Sequence, residues 1–364
     1  MNVQFFPSKR IAFYMARLFL VRTLAVLAAL VLILMTLDLL GESGKILAPP
    51  QNGDAELWRY VSLRIPMLIA RFLPFSVLLG TLITLATLNQ HSEVIAMKAA
   101  GISAHQIIAP LVVASFAVAA LSFAFNERIV TRATATLAAW EAVDYGQVPA
   151  QSDVSSNVWV RDGEDLIHAR QVSGRGDGLV LGGVTIYTRG AGTLERIIDA
   201  ESARRVGGAW RLAEVRIFDV ARVATTRTPS LVYGAAVEPA QFTLARVDPD
   251  EQDFGRLRQS IADLRVAGRP TAALEANLWH KISGPASAVL MPLLAAIAAF
   301  GLARSGQLFL RAVMGMGLGF AYFVADNFAI AMGNYGAYPP LLAAWGPFAL
   351  FLMIGETVLI RTEE

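Results

Sequence analysis

Six stretches of this chain are apolar over the length of a bilayer's hydrocarbon core, and they restrict the possible folds more than anything else in it. They run from about Ala16 to Leu40, Trp58 to Leu88, Ile107 to Phe125, Ile282 to Ala303, Leu308 to Met332 and Pro340 to Ile360. A spanning helix needs about 20 predominantly apolar residues, because only a helix or a closed barrel pairs every backbone polar group in lipid. The residue balance agrees: 16% of the 364 residues are charged and 55% are hydrophobic, whereas soluble domains carry about 25% charged residues. The expected fold class is an α-helical polytopic membrane protein with six transmembrane helices, arranged three and three.

Cations orient the spans. Lys9, Arg10, Arg17 and Arg22 crowd the start of the first run, Arg304 and Arg311 flank the connector after the fourth, and Arg361 follows the sixth. The positive-inside rule then puts both termini in the cytoplasm. The first run far exceeds the about 7–15 residues of a signal-peptide core and reads as a retained helix. Trp58 and Tyr60 form an aromatic belt at the outer interface, and Pro66 and Pro74 should bend the second span.

Leu88 to Ile108 is a polar interval between the second and third spans. Ser92 is placed to cap a short helix over about residues 92–101, with Glu93 at the positive end of its dipole. Val94 and Met97 share a face with Gly101, which is a ready helix stop, and Lys98 lies in the last turn. Such a segment is either a plain turn exposed to water or a coupling helix that fits a groove of a soluble partner.

Hydropathy drops between about Thr131 and Asn277. Residues 131–146 read as a helix continuing the third span. Short alternating runs separated by turns such as RDGED and RVGG then predict an all-β insert of jelly-roll or sandwich type, roughly 90–100 residues long. A helix follows, with Leu257, Ile261 and Leu264 on one face. The domains are therefore 1–130 (the first three spans with the coupling helix), 131–276 (an extracytoplasmic β domain with flanking helices) and 277–364 (the last three spans).

No catalytic constellation emerges. There is no cysteine, the four histidines are scattered, and Ser173, His168 and Asp177 in the insert lack a hydrolase pattern. GESGK at residues 41–45 lacks the phosphate-loop spacing, which would need glycine at Leu39 and Ser or Thr at Ile46. No metal site is expected, and the net charge of +2 gives no reason to expect a nucleic-acid partner. Intramembrane polarity is more informative. Asp326 lies midway along the fifth span, and Gly315 and Gly319 in that span form a close-packing G-x-x-x-G. Lys45, Arg64, Arg71, Arg128 and Arg132 gather near the outer ends of the first three spans, where they either snorkel to headgroups or bind a phosphorylated lipid.

Two stretches, FLPFSVLLGTLITLATLNQHSEVIAMKAAGIS and ANLWHKISGPASAVLMPLLAA, resemble the LptF/LptG (YjgP/YjgQ) permeases of Gram-negative lipopolysaccharide export. The six spans and the insert after the third fit the same family. LDLLGESGK, AWRLAEV and NLWHKI look closer to LptG. The resemblance implies an inner-membrane permease of an ATP-driven ABC transporter that extracts lipopolysaccharide from the outer leaflet. A paralogous LptF-like permease would complete a heterodimer. Two copies of an LptB-like ATPase would hold ATP and Mg, leaving no cofactor in this chain. The β domain would pass the lipid to a periplasmic, membrane-anchored LptC-like bridge. Glu93 in the 92–101 helix would be the ATPase contact, and spans one and five would form lateral gates. Where the family places phosphate-contacting lysines near the end of span one, this chain has Asp38 and Glu42, with Lys45 further along. A permease of another lipid or lipoprotein exporter, or a scaffold presenting a β domain, are the alternatives.

Overall fold

A computed structural model describes residues 8–146, 155–174, 178–190, 193–234, 237–239, 242, 247–266, 269–300 and 308–361. Asp177 and Arg304 lie outside these. The chain divides into a helical unit, Met1–Gly146 with Pro249–Glu364, and a β unit, Gln147–Asp248.

The helical unit begins with α1 (Lys9–Ile46), α2 (Asp54–Gln90), the short α3 (Glu93–Ala99) and α4 (Ala104–Phe125). A π-helical turn, Asn126–Val130, carries α4 without a break into α5 (Thr131–Glu141). After the β unit come α6 (Phe254–Val266), α7 (Ala272–Phe300), α8 (Leu308–Asn334) and α9 (Pro340–Arg361). Among the described residues, six helices are long and apolar enough to cross a bilayer. At 1.5 Å per residue, the 38 residues of α1 and 37 of α2 extend about 55 Å, well beyond a hydrocarbon core of about 30 Å.

The centre of the unit is α7, which touches α2, α4, α8 and α9. In their most apolar windows, 72% of α7 is buried but only 22% of α1 and of α8, so α1 and α8 are the peripheral helices. The first buries a single ridge spaced by four, Met15, Phe19, Thr23, Leu27, Val31 and Met35, and packs chiefly on α2. Leu24, Leu32, Leu37 and Leu40 face away from the protein. Such one-sided burial suits a helix whose other side meets lipid or another chain. Glycine sets the closest approaches. A Cβ on Gly80 of α2 would lie 2.8 and 2.9 Å from the Thr23 backbone Cα and N, so the two helices meet there with no room for a side chain. Gly319 and Gly315 of α8 give way in the same manner to Leu78 and Leu82 of α2.

Capping follows side-chain chemistry, with one reversal. Ser103 accepts from the Gln106 N–H at 3.2 Å and the Gln106 amide accepts from the Ser103 N–H at 3.1 Å, a full capping box at the start of α4. Ser92 does not cap α3. Only His91 and Ser92 join α2 to α3, and Ser92 takes the left-handed conformation (φ 58°) without a side-chain cap hydrogen bond. That left-handed backbone is incompatible with the extended conformation of an N-cap residue.

The β unit is a six-stranded antiparallel sheet of β1 (Ser155–Asp162), β2 (Asp165–Ser173), β3 (Val180–Gly190), β4 (Thr193–Val206), β5 (Ala209–Asp219) and β6 (Ala224–Tyr233). Its strands are hydrogen-bonded in the order β1 to β6, so each pairs with its neighbours in sequence, and they form the expected inserted all-β domain. Tight turns explain this. Gly207 and Gly208 both have positive φ between paired Val206 and Ala209, forcing β5 to fold back directly beside β4. One face buries Val158, Ile167, Ala169, Leu181, Ile186 and Leu212. Val237 and Phe242 close it over Trp210, whose indole N–H donates to the Val237 carbonyl at 2.8 Å. The other face carries His168 stacked on Trp159 with centroids 4.4 Å apart. Burial and the nearby Arg170 guanidinium hold the imidazole pKa below its usual value. Ser173 donates to the Val180 carbonyl, so neither residue is arranged for hydrolysis.

Candidate functional site

Helix α3 is a two-turn rod fixed on one side. Val94 is buried and Met97 packs against the main core, whereas Ile95 is 62% exposed and Lys98 also faces outward. Glu93 accepts a hydrogen bond from the Tyr14 hydroxyl of α1 at 3.3 Å. Gly101 is left-handed (φ 81°), and the Ile102 N–H donates to the Met97 carbonyl, which ends the helix. The Tyr14 hydroxyl thus links α1 to the first turn of α3.

The opposite end of α1 and α2 holds a network that draws in two of the expected lipid-binding cations. Arg64 donates from Nε and Nη2 to the two carboxylate oxygens of Asp38, both at 2.9 Å, and the Tyr60 hydroxyl donates to Asp38 at 2.6 Å. Lys45 donates to Glu42 at 2.9 Å, and Glu42 also accepts from the Tyr145 hydroxyl. Burial, then that bond to Glu42, keeps the Tyr145 phenol pKa above its usual range. The Asn52 amide donates to the carbonyls of Ile46 and Tyr145, closing the α1–α2 loop onto the end of α5. Asp38 and Glu42 thus occupy Arg64 and Lys45 internally. Arg71, Arg128 and Arg132 differ: all three are exposed, with no carboxylate partner among the described residues.

Between α2, the π turn, α5, α7 and α8 lies a cavity of about 520 Å³. Arg71 of α2, His280 and Lys281 of α7, and Tyr322 and Asp326 of α8 line it, as does the Arg64 side chain. Arg128 and Arg132 do not. The Asp326 carboxylate lies 3.7 Å from His280 Nε2, its side chain only 13% exposed. Gly315 and Gly319 allow α8 to sit close against α2, so the carboxylate turns toward this space rather than toward lipid. The sequence marked Asp326 but not its neighbours His280 and Tyr322. Tyr322 sits one turn before it on the same helix, a spacing that could have been read. The cavity's size suits a headgroup or part of a larger amphiphile. Among the described residues, no group of three or more His, Cys, Asp or Glu side chains is placed to hold a metal ion.

A family model described as lipopolysaccharide export system permease LptF/LptG matches residues 13–361. The chain belongs to the LptF/LptG family. It is similar to the lipopolysaccharide export system permease protein LptG of Escherichia coli (strain K12), with 26% identity over 309 residues, covering 83% of this chain and 84% of that protein. It is also similar to LptG of Haemophilus influenzae (strain ATCC 51907 / DSM 11121 / KW20 / Rd), with 25% identity over 330 residues, 86% of this chain and 88% of that one. Membership of the LptF/LptG family and six apolar helices make it an inner-membrane permease of lipopolysaccharide export, a transport subunit in kind.

Proposed function

We propose that this chain is the LptG-like transmembrane subunit of an ATP-driven ABC transporter that takes lipopolysaccharide from the outer leaflet of the inner membrane. A paralogous LptF-like permease pairs with it, two LptB-like ATPases carrying ATP and Mg dock on the cytoplasmic side, and an LptC-like bridge receives the lipid. The observation that carries this reading is a largely apolar, cation-bearing cavity within a bundle of membrane helices whose chain matches the export-permease family over residues 13–361. The volume of about 520 Å³ is small for a multi-chain glycolipid, which supports a partner permease completing the chamber. The exposed faces of α1 and α8 supply the surfaces for that partner. Both termini and α3 are cytoplasmic in this reading, and the β unit is periplasmic.

Glu93 couples the ATPase to the spans. Losing one charge-assisted hydrogen bond costs about 1.5–3 kcal/mol, tenfold or more in affinity. The experiment is ATP-dependent release of lipopolysaccharide from proteoliposomes holding the assembled complex. Glu93→Ala should weaken ATPase docking or uncouple hydrolysis from release, while Tyr14→Phe, which removes only the internal bond, should leave docking intact. Lipid release at the wild-type rate by Glu93→Ala would overturn this assignment.

A further inference from the structure

We propose that Asp326, His280 and Tyr322 form a niche in the cavity wall that binds a primary ammonium group. The amphiphile favoured here is then one whose phosphorylated headgroup also carries an amine. The inference rests on the reading of the cavity as a lipopolysaccharide site and adds a preference within that class.

The niche has hydrogen-bonding capacity that the protein leaves unused. Asp326 Oδ1 is buried with no hydrogen-bond partner among the described residues, and Oδ2 has only His280 Nε2 at 3.7 Å, beyond hydrogen-bond length. Tyr322, 4% exposed and one turn earlier, has a buried hydroxyl with the Ser287 side chain beside it. The Ser287 hydroxyl donates its own proton to the Gly284 carbonyl at 2.6 Å, so it does not supply a donor to the Tyr322 oxygen. On the second side of the imidazole, Nδ1 faces the Ser283 hydroxyl at 3.3 Å, which steadies the ring. A buried carboxylate without donors is strongly unfavourable inside a membrane protein unless a charged donor completes it. A primary ammonium has three N–H donors and full charge, enough for the carboxylate and the tyrosine oxygen together. Charge along the cavity is graded to match. Arg71 is exposed at α2 and Lys281 lines the α7 wall, whereas Asp326 is the more buried group. Phosphate at Arg71 and ammonium at Asp326 is the arrangement that pairs both of these charges. Asp250 and Lys281, both on the cavity wall, have partners already.

The test uses the full chain purified with its partner permease and ATPase. The host cells make lipopolysaccharide as a mixture, with bare phosphates or with phosphates bearing an ethanolamine substituent. Mass spectrometry compares the retained lipid with the membrane pool. The wild type should enrich the amine-bearing form about tenfold, equivalent to about 1.4 kcal/mol. Asp326→Asn should retain lipid at the membrane ratio, and Tyr322→Phe, which keeps the carboxylate, should lose several-fold of the enrichment if the Asn variant does not assemble. Retention by the wild type at the membrane ratio would overturn the niche and leave the lipid site standing. So would unchanged enrichment in both variants. Absence of any retained lipopolysaccharide in the wild type would overturn the reading of the cavity, and the niche with it.

Discussion

Replacing Arg64 with alanine should loosen the helical unit rather than deprive the lipid of a ligand. Its guanidinium makes two bonds of 2.9 Å to Asp38, in a bidentate geometry that Tyr60 completes at 2.6 Å. The two side chains are 29% and 22% exposed, so the pair is neither a surface nor a fully buried one. Charged hydrogen bonds contribute about 1.5–3 kcal/mol when shielded, and exposed ion pairs about 0.2–1 kcal/mol, which places the coupling here at about 1–2 kcal/mol. Arg64→Ala alone should cost more, about 2–3 kcal/mol, because Asp38 keeps its charge with only Tyr60 to meet it. For domains of about 150–250 residues each kcal/mol is about 2–4 °C, so a fall in Tm of about 4–12 °C is expected for the purified protein in detergent. The assay is a double-mutant cycle of Asp38→Asn, Arg64→Ala and the pair. The double variant should be less destabilised than the sum of the two single variants. Strict additivity would refute the tie between α1 and α2. An Arg64→Ala protein of native stability that had lost lipid retention would return Arg64 to the lipid site.

Gly80→Val should force α1 from α2 at Thr23, lowering Tm and reducing the yield of folded protein, with an overpacking cost of about 1–3 kcal/mol; unchanged stability would show that the helices do not meet there. Ser103→Ala should cost about 1 kcal/mol through the lost capping box while Ser92→Ala is nearly silent, as thermal unfolding would report. A fragment of residues 147–248 should give a strand-rich circular dichroism spectrum, since its sheet has its own core. The fragment should also lose stability on acidification. The folded imidazole of His168 has a lowered pKa, so the unfolded chain takes up more protons below the ordinary histidine range of about 6.5 and unfolding gains as pH falls; His168→Gln should flatten that dependence.

The spans were legible because lipid admits few solutions: long apolar runs had to be helices, and the described residues contain six that suffice. The continuation of the third span into α5 and the burial of Leu257, Ile261 and Leu264 on α6 follow from helical periodicity in the same way. Gly101 ends α3 because its left-handed backbone needs no Cβ. What was not legible depends on register between separate elements. Asp38 and Arg64 are opposite charges on different helices, and the packing of α1 on α2, including the close approach of Thr23 to Gly80, brings them into reach. The five outer cations of the first three spans are therefore equivalent in sequence, although Arg64 and Lys45 have internal carboxylates and Arg71, Arg128 and Arg132 have none among the described residues. Alternation tells which strand residues are buried but not which strands are neighbours, so the order β1 to β6 comes from the structure alone. Ser92 was misread because capping preference is a local statistic, and the two-residue connection overrides it.

Photo-crosslinking in cells with working export tests the central claim most directly. A crosslinker at Arg71, inside the cavity, should yield lipopolysaccharide adducts, and Arg128 and Arg132, exposed beyond the cavity, should yield fewer. One at Ile95, on the outward face of α3, should yield protein adducts and none with the lipid. Abundant adducts at Arg71 that disappear when ATP hydrolysis or the partner permease is removed are the predicted result. A cavity position that never captures lipopolysaccharide while export proceeds would contradict the account.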